Sequence, residues 1–176
     1  LVPAQIALRR PKQRILIADT VGLGKTLEAG ILMSELIARG KGKRILVVTV
    51  KSMMLQFQKE MWNRFTIPLI RLDSKKIQDI RAKLPSNYNP FFYYDKTIVS
   101  IDTLKRDVEY RTHLENATWD IIVIDEAHNV AERGGHQAQR ARLAKLLAGR
   151  SDALIMLSAT PHDGRSESFA SLMNML

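Results

Sequence analysis

Short apolar runs that alternate with longer helical periods constrain the fold of this chain more than any other feature. The runs consist almost entirely of Val, Ile and Leu, without the polar alternation of a strand that faces water. Such strands are typical of a parallel sheet covered on both faces, and strand–helix alternation supplies the covering helices. We therefore predict an α/β fold with a parallel sheet flanked by helices on both faces. The predicted strands are Arg14–Ala18, Arg44–Val50, Ile67–Leu72, Thr97–Ile101, Ile121–Asp125 and Ala153–Ser158.

The connections between the strands contain two clear helical patterns. One predicted helix runs from about Lys25 to Arg39, and a second covers 52–65. The second helix has an apolar face. That face consists of Met54, Phe57, Met61 and Phe65. The segment Leu84–Lys96 is rich in Pro, Asn and Ser and is predicted to be a loop, whose aromatic residues we expect to pack on the core rather than stack on bases.

Composition excludes several classes of protein. The length of 176 residues suggests one domain, and the lack of cysteine excludes disulfides and thiolate metal sites. No apolar run approaches the roughly 18 residues needed to cross a bilayer, so we expect no membrane contact. The sequence starts at Leu1 and stops inside a helical pattern, and we interpret it as a piece of a longer protein.

Basic residues exceed acidic ones, and the formal net charge is +9. The excess is clustered, and basic clusters attract phosphate backbones. A solvated basic surface explains the charge equally well, so charge alone leaves nucleic-acid binding open. The clusters are Arg9, Arg10, Lys12 and Arg14; Lys41, Lys43, Arg44 and Lys51; and Arg133, Arg140, Arg142, Lys145 and Arg150.

The stretch "ADTVGLGKTLEAG" (18–30) lies between the first predicted strand and the first helix. Glycines Gly22 and Gly24 let backbone N–H groups approach an anion, and the helix N-terminus adds its positive end. Lys25 can reach the β- and γ-phosphates of a nucleotide, and the Thr26 hydroxyl can bind Mg²⁺. The stretch resembles the end of a P-loop, but Asp19 stands where G-x-x-x-x-G-K-[ST] has its first glycine. A glycine-rich helix start with a chance Lys-Thr pair is the structural alternative.

Two further motifs follow later strands. "IIVIDEAH" places Asp125 and Glu126 at a strand end, where the first can hold Mg²⁺ through water and the second can position or deprotonate the attacking water. "LSATPHDG" (157–164) offers the Ser158 and Thr160 hydroxyls as a link between the acidic motif and a nucleic-acid site. An acidic turn and an ordinary turn are the structural alternatives, but carboxyl ends of strands are where a nucleotide site is expected.

In this order, D-x-V-G-L-G-K-T, D-E-A-H and S-A-T resemble motifs I, II and III of superfamily 2 helicases and translocases. "VGLGKTLEAG" with "DEAH" and "SATP" is similar to the Swi/Snf-type family of DNA translocases, most of all its bacterial RapA/HepA-like branch. "VVTVKSMMLQFQ" and "VSIDTLKR" match motifs Ia and Ib, so the resemblance covers nearly the whole chain. The combination of motifs is very specific, although no single motif is.

The resemblance implies that residues 1–176 form the ATP-binding first RecA-like lobe of a DNA-dependent ATPase, with a second lobe absent from this chain. The second lobe would supply arginines for phosphoryl transfer, so we expect the isolated lobe to be weak or inactive. Double-stranded DNA, ATP and Mg²⁺ are the implied ligands, and the bacterial or archaeal cytoplasm is the implied location.

The resemblance also implies roles for individual residues. The nucleotide loop would consist of Asp19, Thr20, Val21, Gly22, Leu23, Gly24, Lys25 and Thr26. The catalytic residues would be Lys25, Asp125, Glu126 and His128. Thr26 and Asp125 would hold the metal ion. His128 would connect the site to motif III or to the second lobe. The nucleic-acid contacts would be Lys51, Ser52, Gln56, Ser100, Thr103 and Lys105, and the coupling residues Ser158, Ala159 and Thr160.

The sequence departs from the family pattern at several positions. Thr20 replaces the usual Glu after Asp19, and in motif Ia Val50 and Phe57 replace the usual Pro and Trp. We expect these changes to affect nucleotide affinity and strand contacts rather than to abolish ATP binding. The family reads adenine with a glutamine. Gln5 lies rather close to Lys25 in the sequence for that role, so we expect the adenine-reading residue to precede Leu1.

Other functions stay open from the sequence. A strand-separating helicase or an RNA-dependent ATPase of the same superfamily would share these motifs. A DNA-binding scaffold with a vestigial ATPase would not need to keep Lys25, Thr26, Asp125 and Glu126. A P-loop kinase is disfavoured because D-E-A-H and S-A-T have no role there.

Overall fold

The computed structural model describes residues 13–18, 22–105, 108–125 and 138–158. Its strands form one parallel sheet in the order β1-β6-β5-β2-β4-β3. All six predicted strands are present, which confirms the α/β prediction. The strands are β1 Gln13–Ala18, β2 Ile45–Thr49, β3 Ile70–Leu72, β4 Lys96–Ser100, β5 Trp119–Ile124 and β6 Ser151–Ser158.

Helices follow the strands along the chain. Those in the described residues are α1 Gly22–Ala38, α2 Met54–Phe65, α3 Ser74–Lys83, α4 Ile101–Lys105, α5 Val108–Glu115 and α6 Ala138–Ala148. Short 3-10 turns cover Lys51–Met53 and Pro90–Phe92. The predicted apolar face of α2 is confirmed, because Met54, Phe57 and Met61 are at most 3% exposed and Phe65 packs against them. No helix among the described residues combines the length and apolar character needed to cross a membrane.

Several predicted boundaries were wrong by one to three residues. The strand predicted from Ile67 starts only at Ile70, after Pro68, which lacks the N–H that a strand ladder needs. Ile101 opens helix α4 rather than closing β4, because the Ser100 hydroxyl accepts a hydrogen bond from the Thr103 N–H and caps that helix. Helix α1 begins at Gly22, three residues earlier than predicted.

Alternate residues of each central strand supply two separate apolar cores. In β2, Ile45 and Val47 face the core under α1 and α2, whereas Leu46 and Val48 face the core under α3 to α6. All four of these side chains are fully buried. A strand without polar alternation therefore contributes to both layers, as the sequence predicted.

The ends of α1 and α2 use left-handed residues. Gly40 (φ 74°) follows α1, where the Lys41 N–H donates to Leu36 O at 2.8 Å and the Gly40 N–H to Ile37 O at 3.0 Å. This is a Schellman motif, in which glycine takes the left-handed conformation without steric cost. Thr66 (φ 55°) takes that conformation after α2, where a β-branched residue is strained.

The prediction for the aromatic residues of segment 84–96 was correct only in part. Phe91 is buried and meets Tyr110 and Trp119 edge-on, with ring centres 6.3 and 6.5 Å apart. Tyr94 packs partly against the same core. The remaining rings, those of Tyr88, Phe92 and Tyr93, are about two-fifths exposed. The 3-10 turn at 90–92 rotates successive side chains apart, so neighbouring rings cannot all face the core.

Candidate functional site

Lys25 is buried in the first turns of α1, directly beyond the carboxyl end of β1. It is the fourth residue of the helix, so it lies among the backbone N–H groups that have no partner within the helix. The residue is only 5% exposed, and it makes no ion pair or hydrogen bond with any residue that the structure describes. The Lys25 ammonium adds positive charge to a helix N-terminus, which itself attracts anions. The position therefore suits a phosphate.

The predicted nucleotide loop lies partly in this helix. Helix α1 starts at Gly22, so its first turn includes Gly22, Leu23 and Gly24. These three residues therefore belong to the helix rather than to a preceding loop. Glycines there leave the free N–H groups accessible. Thr26, the next residue after Lys25, is half-buried and engages in interactions of its own. Three of the predicted loop residues, Asp19, Thr20 and Val21, lie outside the described residues.

Asp125 is the residue directly after β5, and Thr49 holds its carboxylate. The Asp125 N–H donates to Val48 O at 2.8 Å, which continues the pairing of β5 with β2. The Thr49 hydroxyl donates to Asp125 Oδ2 at 3.1 Å. Thr49 is 2% and Asp125 8% exposed. The bond fixes one carboxylate oxygen and therefore the direction of the other.

Sheet order brings the three predicted motifs to the same edge. Strand β6 lies between β1 and β5, with Ala18 opposite Ser158 and Ile124 opposite Met156. The helix that carries Lys25, the Asp125 turn and buried Ser158 therefore all follow the carboxyl ends of adjacent strands. The structure describes none of the other predicted members of the acidic and S-A-T motifs. These are Glu126, His128, Ala159 and Thr160.

The donors at this edge fit Mg²⁺. Mg²⁺ takes oxygen ligands and usually keeps waters and phosphate oxygens beside one or two protein groups. The Thr26 hydroxyl and the Asp125 carboxylate belong to that class. Within the described ranges, no three acidic or histidine side chains come together as a metal site of their own. The two residues would therefore hold the ion together with a nucleotide, where it neutralises phosphate charge.

The predicted nucleic-acid contacts divide into two groups. Lys51, Ser52 and Gln56 are exposed at the turn after β2 and at the start of α2, and Ser52 and Gln56 line an open groove of about 600 Å³. Ser100 is 3% exposed, and its hydroxyl pairs with that of Thr103 at 2.8 Å. These two hydroxyls thus stabilise the start of α4. Lys105 lies in α4, and its side chain is outside the described part.

Sequence reasoning missed Thr49. The only signal was a polar residue near the end of an otherwise apolar strand, "RILVVTV". Its partner lies 76 residues away in sequence, so only the pairing of β2 with β5 reveals its role.

Comparisons with known proteins identify the family of this chain. The family model of the SNF2-related domain matches residues 6–176. The RNA polymerase-associated protein RapA of Sodalis glossinidius is 33% identical over 98% of the chain, and that of Klebsiella pneumoniae is 31% identical over 100%. The chain spans 18% of the length of each of these relatives.

Solved structures show the same fold. The SWI2/SNF2 ATPase core of Sulfolobus solfataricus in complex with dsDNA superposes with a TM-score of 0.72 at 25% identity, covering 99% of this chain and 33% of that chain. The helicase domain of Pyrococcus furiosus Hef superposes with a TM-score of 0.70 at 20% identity, over 99% of this chain and 35% of that chain. The RecA-like fold is thereby confirmed.

Proposed function

Because the chain belongs to the family of SNF2-related domains, as a helicase-like lobe of the RapA branch, we propose that it is the first RecA-like lobe of an ATP-hydrolysing motor that translocates on double-stranded DNA. The observation that carries this proposal is Lys25, a buried cation without a described counter-ion at a helix N-terminus. Asp125 follows a strand at the same edge of the sheet. A scaffold that did not bind nucleotide would have no need for a nearly buried lysine at this helix N-terminus.

Each residue of the nucleotide site has a distinct task in this proposal. Lys25 places positive charge against the phosphates, and Thr26 and Asp125 hold Mg²⁺. Glu126 orients or deprotonates the attacking water. His128 and the S-A-T segment, Ser158 to Thr160, pass the state of the site to the second lobe and the DNA. The second lobe of the whole protein contributes arginines to the phosphoryl-transfer charge.

The nucleic-acid face lies at the same carboxyl edge. Exposed Lys51, Ser52 and Gln56 follow β2, next to β5 and its Asp125. Duplex DNA is the proposed partner because the Sulfolobus core was solved with dsDNA. The names of the bacterial relatives associate those proteins with RNA polymerase, and the same partner is proposed for the whole protein. The cytoplasm is its proposed location.

The test uses the full-length protein and compares Lys25→Ala with Glu126→Gln. Lys25 contacts phosphate in the ground and transition states, so its loss should weaken both ATP binding and turnover. Glu126 acts on the attacking water, so its loss should lower turnover while ATP binding stays intact. Lys83→Ala, at an exposed lysine of α3, is the control.

ATPase rates are measured with duplex DNA, single strands and RNA. Stimulation by duplex DNA without strand separation supports translocation. Stimulation by RNA alone, or strand separation, would favour the other superfamily 2 activities. Turnover in Glu126→Gln equal to that of the parent protein would show that the role given to Glu126 is wrong.

A further inference from the structure

Three exposed aromatic rings lie at the amino edge of the sheet, opposite the nucleotide motifs. Tyr88, Phe92 and Tyr93 are 41%, 39% and 42% exposed, and together we call them the aromatic patch. They precede β4, and the basic turn 40–44 precedes its neighbour β2. None of these residues takes part in the proposed nucleotide site or nucleic-acid face.

The backbone that carries the patch is firmly held. Phe91 is 2% exposed and anchors the segment in the core. The Asn89 amide donates to His113 O at 2.6 Å and accepts from the Phe91 N–H at 3.1 Å. The Arg44 guanidinium donates to Phe91 O at 3.0 Å and to Thr118 O at 2.9 Å. A backbone held in this way loses little conformational entropy when a ligand binds to the side chains that it carries.

Cations lie between and beside the rings. The Arg44 guanidinium stacks 4.5 Å from the centre of the Phe92 ring. Tyr93 contacts Tyr94 edge-on at 4.8 Å, and the Lys76 ammonium lies 5.6 Å from the Tyr94 ring. Five cations belong to this region: Lys41, Lys43, Arg44, Lys76 and Lys96. The carboxylates beside them include Asp95, next to Arg44, Asp120, which accepts from the Arg44 N–H, and Asp73, which accepts from the Lys76 N–H. The region therefore has a positive balance.

We propose that the aromatic patch binds single-stranded nucleic acid, as a site separate from the duplex-binding face. Exposed rings with interspersed cations bind unpaired bases by stacking and the backbone by charge. Duplex bases are already stacked on one another and cannot reach the rings. An acidic protein segment is the rival occupant, but the cations other than Arg44 are lysines, and lysine is depleted in protein–protein interfaces.

The experiment measures fluorescence anisotropy of labelled oligo(dT) and oligo(rU) with the full-length protein. Excess unlabelled duplex DNA occupies the carboxyl-edge contacts. Phe92→Ala and Tyr93→Ala should each weaken oligonucleotide binding by about tenfold or more, the range of one lost base stack. Phe92→Tyr keeps a ring and should bind like the parent protein.

Trp62→Ala is the matched control, since Trp62 is an exposed aromatic residue (54%) on α2, which packs on a different core from the one that anchors Phe91. Thermal unfolding verifies that each variant is folded, and duplex-stimulated ATPase activity should remain at the parent level in all of them. Failure of the parent protein to bind the oligonucleotides under duplex competition would overturn the proposal. Equal losses of oligonucleotide affinity in Phe92→Ala and Trp62→Ala would overturn it as well. So would a probe that poly-glutamate displaces and that the patch variants bind as tightly as the parent protein does.

Discussion

Replacing Thr49 with valine removes the hydroxyl that holds Asp125 and leaves the shape of the side chain nearly unchanged. The lost bond spans 3.1 Å between two residues that are 2% and 8% exposed. A hydrogen bond to a charged group contributes about 1.5–3 kcal/mol to the free energy of unfolding. Removing the donor of a buried acceptor lowers the stability of the protein by a similar amount. Because valine opens no cavity, we expect Thr49→Val to lower the free energy of unfolding by about 1–3 kcal/mol.

The same substitution should lower the affinity of the nucleotide site for Mg²⁺. Residues that orient a metal-ligating carboxylate typically change metal affinity by about 10–100-fold when they are removed. We therefore expect Thr49→Val to raise the Mg²⁺ concentration at half-saturation by about tenfold or more. Thr49→Ser restores the hydroxyl and should recover most of the affinity.

Urea unfolding measures the stability, and Mg²⁺ titration of fluorescent ATP binding in the full-length protein measures the site. Thr97→Val is the control, because Thr97 is also 2% exposed in a central strand but lies in the amino-terminal half of β4. A general effect of losing a buried hydroxyl would appear in both variants. An unchanged Mg²⁺ titration in Thr49→Val would refute the positioning role, and an unchanged stability would refute the energetic importance of the bond.

Three further outcomes follow from the described contacts. The chain should bind duplex DNA with a salt-dependent association constant K. For each phosphate contacted, log K should fall by about 0.9 per log unit of salt concentration. Lys51→Ala should flatten that slope by about one unit. Arg150→Ala, at the amino edge before β6, should change it little. Thr66→Gly should raise the free energy of unfolding by about 0.5–1 kcal/mol, since the left-handed conformation at φ 55° strains a β-branched residue. Gly30→Ala should lower the free energy of unfolding by about 1–3 kcal/mol. Unless the neighbours move, the Cβ of the alanine would overlap the Phe65 ring.

Controls separate these effects from general ones. Thr118→Gly, at an exposed threonine without positive φ, should destabilise rather than stabilise. In a Phe65→Ala background, Gly30→Ala should stabilise, because only its gain in helix propensity remains. Duplex-affinity losses of equal size in Lys51→Ala, Lys105→Ala and Arg150→Ala would indicate diffuse charge attraction instead of a binding track. Urea unfolding measures the stability of Thr66→Gly, Thr118→Gly and Gly30→Ala against the parent protein. The double variant is compared with Phe65→Ala alone.

The sequence by itself determined the class of fold. Runs such as "RILVVTV" and "IIVID" are apolar at nearly every position that the sheet buries, with Thr49 as the exception. Period and composition therefore suffice to predict strands covered on both faces. Motif spacing likewise predicted which strand ends would form a nucleotide site. Lys25 was assigned because it opens the helix after the first predicted strand, and Asp125 because it ends a later one.

Only the tertiary structure decided which strands are neighbours. Periodicity describes one element at a time, whereas strand order depends on contacts between residues far apart in the chain. Strand β6 lies between β1 and β5, and β2 lies beside β5. That order brings the Lys25 helix and Asp125 to one edge and pairs Thr49 with Asp125. The exposure of Phe92 beside buried Phe91 was decided in the same way, because the sequence shows two like rings and only packing determines which one faces the core.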